Sequence, residues 1–367
     1  TCSSVTMARA DDIAVENGVA GADMNSDTIT SNEAAVYDRQ IRLWGIESQI
    51  KLRHSCVLLV GMKGLGAEIA KNLVLCGLNA MTIVDPGLVT EDDTMSNFFL
   101  PKDAIGKERA ASSLAGVQAL NPLVKLTCAK SIEEVDLSSF SLVVLADQPY
   151  NVVKAVNEKC RAAGVRFIGS SVFGWIGYAF FDHDGHEFIV KKDKPVELAT
   201  LDGEGDDAMK VEGEKATMVE DEEDQWETKK LSFPSFEEAL NVDWQTKKLM
   251  RKARGLLPSS YFPVRALMRA EEYSELTGEE DRDIGRLTEL WVNELERSGQ
   301  KDDGQTILPD QFDYLFGPQL SATCAVLGGF IGQESIKSLT GGKQPFRNLM
   351  LYSALDSTTR VCDFPPK

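Results

Sequence analysis

Short apolar segments alternate with helical ones through the first half of this chain, and this alternation most constrains the fold. Residues 56–60, Cys-Val-Leu-Leu-Val, form a continuous apolar run typical of a strand that is buried on both faces. The glycine-rich segment 61–66 follows, and then a helical pattern over 67–76 that ends at Gly77. A second apolar run over 81–84 completes a unit of strand, helix and strand.

The same alternation continues along the chain. Helices are predicted over 109–120 and 151–163, and strands over 124–128, 142–145 and 165–168. Strands that alternate with helices form an open, mostly parallel sheet with helices on both faces. The sequence therefore predicts an α/β protein with a Rossmann-like fold.

Further elements are predicted on either side of this alternation. A helix is expected over 34–52. Segments 178–181 and 187–190 flank Asp184-Gly185 and have the pattern of a hairpin. Three glycines, at 328, 329 and 332, are expected to allow close packing of a late apolar helix. The remaining predicted elements are helices over 236–254, 262–276, 284–297 and 322–339, and strands over 349–352 and 360–362.

Composition divides the chain into five segments. These are a disordered tail over 1–33, the first part of the Rossmann-like domain over 34–190, an acidic flexible loop over 191–232, a helical insert over 233–320, and a return segment over 321–367 that completes the domain. Eleven acids and two lysines lie between residues 202 and 224. Such a run is usually a solvated linker, and an electrostatic contact for a basic partner is the alternative.

The overall composition is that of a globular protein with an acidic balance. The 367 residues carry a formal net charge of −18 at pH 7. Proteins that bind nucleic acids or anionic membranes need a basic face. A chain this acidic is not expected to have one, so neither partner is expected. Seven scattered cysteines without a C-x-x-C pair favour free thiols over a disulfide frame or a cysteine-rich zinc site.

The glycine-rich turn has the context of a nucleotide-binding loop but departs from the dinucleotide pattern at one position. It follows a strand and opens a helix, and an acid, Asp85, ends the next strand. Such turns bring phosphate groups to backbone N–H groups at a helix N-terminus. Lys63 stands where the dinucleotide fingerprint requires glycine. Two interpretations stay open here: a dinucleotide site, and a tight strand-to-helix turn without a ligand.

Two motifs together carry a family resemblance. The first is Tyr-Asp-Arg-Gln-Ile-Arg-Leu-Trp-Gly over residues 37–45, and the second is the strand, turn and helix over 57–73. Together they resemble the ThiF/MoeB-like adenylating proteins, and among these the smaller, non-catalytic subunits of SUMO-activating enzymes. Shorter similar segments lie at 105–110, 120–122, 172–174, 242–244, 260–262 and 324–329. The resemblance therefore covers most of the chain.

The resemblance implies a reaction that is divided between two chains. Enzymes of this kind use ATP and Mg²⁺ to adenylate the C-terminal glycine of a ubiquitin-like protein, which a cysteine then accepts as a thioester. In the SUMO system the larger, catalytic subunit holds the ATP and the Mg²⁺. This chain is therefore expected to bind no cofactor or metal itself, to form a heterodimer with that subunit, and to help present SUMO. It is expected to be inactive alone and to reside in the nucleus, with some in the cytoplasm.

Five positions bear on whether the chain keeps its own nucleotide site. Relative to active halves of the family, Lys63 replaces a glycine, Gly87 replaces the acid that binds ribose, and Ser96 replaces an arginine that binds phosphate. Arg109 stands where active halves have a lysine, and Asp147 keeps the acid that binds Mg²⁺ in those halves. Loss of the ribose acid and the phosphate arginine removes specificity and charge neutralisation. A pseudo-active site is therefore expected.

One catalytic element is expected to be present. Arg39 matches the family arginine that crosses the dimer interface and reaches the ATP phosphates of the partner. A guanidinium supplied in trans stabilises the charge of the departing pyrophosphate. The alternative is a surface arginine that pairs with Asp38 or Glu47. Arg42, one helical turn further on, is a weaker candidate for the same role.

One other candidate site and three other classes of protein fit the sequence less well. Residues 182–187, Asp-His-Asp-Gly-His-Glu, are expected to be a polar hairpin tip rather than a metal site, since the chain has only three histidines. Three rival functions are a homodimeric adenylating activator of a sulfur carrier, a nicotinamide oxidoreductase, and the matching subunit for another ubiquitin-like modifier. Lys63, Gly87 and Ser96 oppose the first, and Lys63 opposes the second.

Overall fold

A computed structural model describes residues 29–191, 226–272, 284–300, 309–316 and 318–366. The strands are β1 Cys56–Val60, β2 Ala80–Val84, β3 Lys125–Ala129, β4 Leu142–Ala146, β5 Arg166–Phe173, β6 Ile176–Asp182, β7 His186–Lys191, β8 Trp226–Leu231, β9 Leu349–Ser353 and β10 Thr358–Cys362. The helices are α1 Ser31–Val36, α2 Asp38–Trp44, α3 Ile46–Arg53, α4 Gly64–Leu75, α5 Glu91–Ser96, α6 Arg109–Leu120, α7 Tyr150–Ala163, α8 Phe236–Leu240, α9 Lys247–Leu256, α10 Tyr261–Glu272, α11 Ile284–Arg297, α12 Asp313–Phe316 and α13 Ser321–Thr340.

The central sheet is mostly parallel, as the alternating pattern predicts. Its strand order is β10-β9-β6-β5-β4-β1-β2-β3, and the five strands from β5 to β3 run parallel to one another. β6, β9 and β10 extend it by antiparallel pairing. The chain order reverses between β1 and β4, which is the topological switch point where folds of this type bind ligands.

The two faces of the sheet carry different helices. On one face, α13 packs closely against α4, because Gly328 and Gly332 leave room for Glu68 and Asn72: a Cβ at either glycine would lie 2.6–2.7 Å from the Cβ of its neighbour. Gly329 faces open space and takes no part in this contact, contrary to the prediction. On the other face, α7 and the insert helices share one apolar core with the sheet. No helix among the described residues is long and apolar enough to cross a membrane.

Two predicted helices are interrupted. Segment 34–52 forms three helices, because the chain leaves the helical conformation at Tyr37 and again at Gly45, which has a φ of +87°. Segment 236–254 is also divided: α8 ends before Asn241, and the side chain of Thr246 caps a new helix, α9. Side-chain periodicity continues across both breaks, so the pattern alone does not reveal them.

The predicted hairpin of segments 178–181 and 187–190 is wrong. β6 is buried along its whole length and pairs with β5 on one edge and β9 on the other, so it has no free edge for β7. β7 pairs with β8 instead, in a separate two-stranded sheet.

Two segment boundaries also change. β8 lies inside the predicted acidic loop over 191–232, and α1 begins within the predicted tail over 1–33. Residues 1–28 of that tail and the acidic run over 202–224 lie outside the described residues. The division into an interrupted domain and a helical insert over 233–320 stays a prediction.

Candidate functional site

The candidate site lies at the carboxyl edge of the parallel strands. Gly61 follows β1, Asp85 follows β2 and Asp147 follows β4, so the switch point gathers all three at one place. Asp85 accepts a hydrogen bond from the backbone N–H of Met62 at 2.7 Å and another from Gly87 at 2.8 Å. The turn between β1 and α4 is thereby fixed to the end of β2.

The glycines of the turn between β1 and α4 are required by packing. Gly61 has a φ of +97°, and a Cβ there would lie 2.0 Å from the carbonyl oxygen of Ala146. A Cβ at Gly66 would lie 2.1 Å from the carbonyl oxygen of Gly61, and one at Gly64 would lie 2.5 Å from Ser96. Packing within the fold therefore accounts for the three glycines without a bound ligand. A tight strand-to-helix turn of this kind is one of the two interpretations that the sequence left open.

Arg109 fills the space beside Asp85. Its guanidinium donates to both carboxylate oxygens of Asp85 at 2.9 Å, to Asp93 at 2.9 Å and to the carbonyl oxygen of Leu88 at 2.9 Å. Arg109 and both acids are buried. Burial lowers the pKa of Arg109, but the two carboxylates outweigh it and hold the pKa above its usual value. The result is a closed cluster of one cation and two anions.

The same guanidinium covers Gly87, which stands at the family's ribose-binding position. A Cβ at Gly87 would lie 2.4 Å from Nη1 of Arg109 and 3.0 Å from its Cζ. The guanidinium cannot swing away without breaking its bonds to Asp85 and Asp93. An acid at position 87 and the observed Arg109 position are therefore mutually exclusive.

The N-terminus of α4 also has an internal partner. The side-chain oxygen of Gln319 accepts a hydrogen bond from the backbone N–H of Leu65 at 3.3 Å. Ser96 is buried and lies against Gly64 beside it. Lys63, the residue that interrupts the glycine pattern, is exposed. A phosphate that approached this helix end would have to displace Gln319, whose side chain already uses one of the N–H groups.

Asp147 is half-buried at the end of β4, beside the glycine-rich turn, in a left-handed conformation with a φ of +55°. Burial raises its pKa, while the N–H of Val172, which donates to it at 2.9 Å, and the side chain of Gln319 oppose the rise. Glu271 from α10 is also half-buried, and desolvation together with the charge of Asp147 raises the pKa of Glu271 to about 7. The charge of Asp147 thus disfavours the charged form of Glu271.

Arg39 lies far from this pocket. It is exposed on α2, and no hydrogen bond or ion pair joins it to the described part of the chain. Its neighbour Gln40 donates to the carbonyl oxygen of Leu75, the last residue of α4. The glycine-rich turn lies at the other end of that twelve-residue helix, about 18 Å away at 1.5 Å per residue. Arg39 therefore lies on a helix that contacts the end of α4 opposite to the glycine-rich turn.

Arg42 differs from Arg39 in its surroundings. It forms an exposed ion pair with Asp38, with 3.1 Å between Nε and the carboxylate oxygen. The pairing considered as an alternative for Arg39 is thus made by Arg42. A paired guanidinium is less free to bind another anion, so the geometry favours Arg39 over Arg42 as the available cation.

The predicted polar tip at residues 182–187 is partly buried, with Asp184 and Glu187 exposed. Asp182, His183 and His186 are buried, and Asp182 pairs with Arg161 at 2.8 Å. Within the described ranges, no group of three or more His, Cys, Asp or Glu side chains could hold a metal ion. Burial lowers the pKa of His183 to about 3, and neighbouring His186 and Arg166 add to the effect.

This burial predicts a loss of stability in acid. The folded-state pKa of His183 lies below its unfolded value of about 6.5, so the unfolded state binds the extra proton as the pH falls below 6.5. The contribution of neutral, buried His183 to the free energy of unfolding is complete at pH 7.5. It should be about 2 kcal/mol smaller at pH 5. Urea unfolding at both pH values should show a smaller acid loss for His183→Phe than for the wild type. His54→Gln, an exposed control, should keep the wild-type pH dependence, and equal losses in all three proteins would contradict the account.

Sequence reasoning missed several residues that shape the pocket. Asp93 had a usable signal, because Thr90 and Asp93 form a capping box at the start of α5, and that spacing is visible in the sequence. Gln319 and Glu271 had none: each is brought to the pocket from more than a hundred residues away in the chain by the packing of α13 and α10.

A doubly wound sheet with a glycine-rich turn at its switch point defines the class of Rossmann-like nucleotide-binding proteins. Comparison with known proteins narrows the class. The model of the ThiF family matches residues 37–367. SUMO-activating enzyme subunit aos-1 of Caenorhabditis elegans is 42% identical over 349 residues, which cover 92% of this chain and 99% of that protein. SUMO-activating enzyme subunit 1 of Homo sapiens is 34% identical over 350 residues, which cover 92% of this chain and 97% of that protein.

Solved structures agree on the fold. The crystal structure of E. coli MccB with MccA-N7isoASN has a TM-score of 0.53 and 11% identity, over 93% of this chain and 75% of that one. The chain belongs to the ThiF family and, within it, to the family of SUMO-activating enzyme subunit 1. The family resemblance and the fold class read from the sequence are thereby confirmed.

Proposed function

We propose that this chain is the non-catalytic subunit of a heterodimeric SUMO-activating enzyme. It would support adenylation of the SUMO C-terminus and thioester formation on a catalytic partner, which would hold the ATP and the Mg²⁺. Its own pocket would bind neither. The relatives' names support the SUMO system and a second subunit, and the internal partners of Asp85 and Leu65 support a pocket without a ligand.

The position of Arg39 carries the proposal. Arg39 is exposed and forms no ion pair within the described residues, and its helix contacts the end of α4 that is about 18 Å along that helix from the chain's own glycine-rich turn. A site on another molecule fits such a guanidinium better than the chain's own switch point. When a carboxylate attacks the α-phosphate of ATP, the bond to the pyrophosphate breaks and negative charge collects on that leaving group. Arg39 would stabilise the charge in the partner's site by a bidentate contact.

Exposed apolar side chains around Arg39 support a protein partner at this surface. Val36, Leu43 and Ile46, on α1 to α3, are 64%, 73% and 53% exposed. Large apolar groups concentrated around one free cation are typical of an interface core beside a polar contact. A partner that buried them would also bring its phosphate-binding site within reach of Arg39.

The test is SUMO-dependent exchange of labelled pyrophosphate into ATP. This chain alone, a catalytic subunit alone and their mixture are compared at equal concentrations. The proposal predicts exchange in the mixture and none by this chain alone. Exchange by this chain alone would overturn it in favour of the stand-alone adenylating activator, because the pocket would then work despite Arg109 and Gln319.

A further inference from the structure

Three side-chain amides bind the three carbonyl groups at the end of α4. Asn121 donates to the carbonyl oxygen of Val74, Gln40 to that of Leu75 and Gln49 to that of Cys76, each at 2.9 Å. Carbonyl groups at a helix C-terminus have no partner within the helix, so they are free to accept such bonds. Two of the donors belong to the segment that carries Arg39.

The helix that carries Arg39 is held by apolar packing only at its two ends. The buried Tyr37 precedes α2, and Trp44, its last residue, packs against the apolar core. No residue of α2 is fully buried and no side chain caps its N-terminus, so apolar burial contributes little to the middle of the helix. Gln40 is the neighbour of Arg39 in this helix, and its bond to Leu75 fixes the distance between α2 and the end of α4.

Gln49 fixes the other end of α2. It is buried on α3, and its oxygen accepts a hydrogen bond from the indole N–H of Trp44, the last residue of α2, at 3.1 Å. Its amide group donates to Cys76. A single side chain thus joins α2, α3 and α4, and its loss would leave the C-terminal end of α2 held only by the packing of Trp44 against the core.

We propose that Gln40 and Gln49 are positioning residues for Arg39. By joining α2 to the rigid end of α4, they hold the guanidinium where it meets the partner's phosphates, so the inference rests on the proposed function. An exposed arginine on a mobile short helix would spend much of its time elsewhere, and small misplacements of a charge contact reduce a rate strongly.

The test uses the full heterodimer with Gln40→Ala in this chain. In SUMO-dependent pyrophosphate exchange, kcat should fall about tenfold, with an unchanged KM for SUMO. Arg39→Ala should lower kcat further, and the double variant with Arg39→Ala and Gln40→Ala should equal Arg39→Ala alone. A side chain that acts only through Arg39 has nothing left to position once Arg39 is gone. Gln49→Ala should give the same pattern.

The matched control is Asn72→Ala. Asn72 also donates a side-chain amide to backbone carbonyl groups, those of Glu68 and Gly328, but these bonds join α4 to α13 and not to α2. It should keep the wild-type kcat, and gel filtration should show intact heterodimer for every variant. Wild-type kcat in Gln40→Ala and Gln49→Ala, or a further loss in the double variant, would overturn the positioning role while Arg39 still mattered. Wild-type exchange in Arg39→Ala would instead overturn the role of Arg39 in the proposed function.

Discussion

Replacing Arg109 by alanine should lower the free energy of unfolding of this chain by about 3–5 kcal/mol. Arg109 is the sole cation that bonds to the buried carboxylates of Asp85 and Asp93 in the described residues. Without it, two anions are left in a pocket with little water, and removing one partner of a buried ion pair costs more than the pair itself contributes. Urea unfolding at pH 7.5 measures the loss.

Two control variants separate charge from geometry in this experiment. Arg109→Lys keeps the charge but cannot reach both acids at once, so its loss should be intermediate. Lys107, two residues before Arg109, forms an exposed ion pair with Asp103. Lys107→Ala breaks this pair and should lower the free energy of unfolding by less than about 1 kcal/mol. A loss of that small size for Arg109→Ala would show that the pocket is not held closed by this cluster.

Gly87→Ala provides an independent check of the same cluster. Its new Cβ would meet the fixed guanidinium of Arg109, so we expect it to destabilise the chain by about 1–3 kcal/mol. The same change made together with Arg109→Ala should add almost nothing, because the obstacle has gone. Additive losses, measured by the same urea unfolding, would place the strain elsewhere.

Arg39→Ala should slow SUMO-dependent pyrophosphate exchange by the heterodimer by about 10²–10³-fold. The predicted loss is that of one fixed donor to the charge that develops on the leaving pyrophosphate. Heterodimer formation and the stability of this chain should change little, because the side chain is exposed and has no ion pair among the described residues. Exchange kinetics with the catalytic subunit, alongside gel filtration, test both parts.

Arg42→Ala is the informative comparison for this loss. It removes the same charge from the same helix, but Arg42 is already paired with Asp38. We expect a much smaller effect on exchange than for Arg39→Ala. Equal losses in the two variants would mean that the net charge of α2 matters, and not one positioned guanidinium.

The arrangement of the central sheet could be predicted from the sequence because its strands are buried on both faces. Continuous apolar runs such as 56–60 and 142–145 correspond to β1 and β4, and the helix predicted over 109–120 has the bounds of α6. The errors fall where pairing depends on distant segments. β7 pairs with β8, which begins more than thirty residues after β7 ends, and no local pattern reports that choice.

The departures of the site from the family pattern were visible in the sequence, but their structural meaning was not. Gly87 and Arg109 differ from active halves at separate positions, and only the fold shows that the Arg109 side chain covers Gly87. Lys63, the most conspicuous departure, proves to be exposed, whereas Gln319 was not noticed and bonds to the helix end. Residues that act by contact across the chain are hidden from local motifs.

The number of nucleotides bound per heterodimer tests the central claim most directly. Titration calorimetry with ATP and Mg²⁺ should give one site per heterodimer, no heat of binding with this chain alone, and the same single site in a heterodimer with Gly87→Ala. Two sites per heterodimer, or tight binding of ATP by this chain alone, would contradict the account, since Arg109 and Gln319 would then fail to close the pocket.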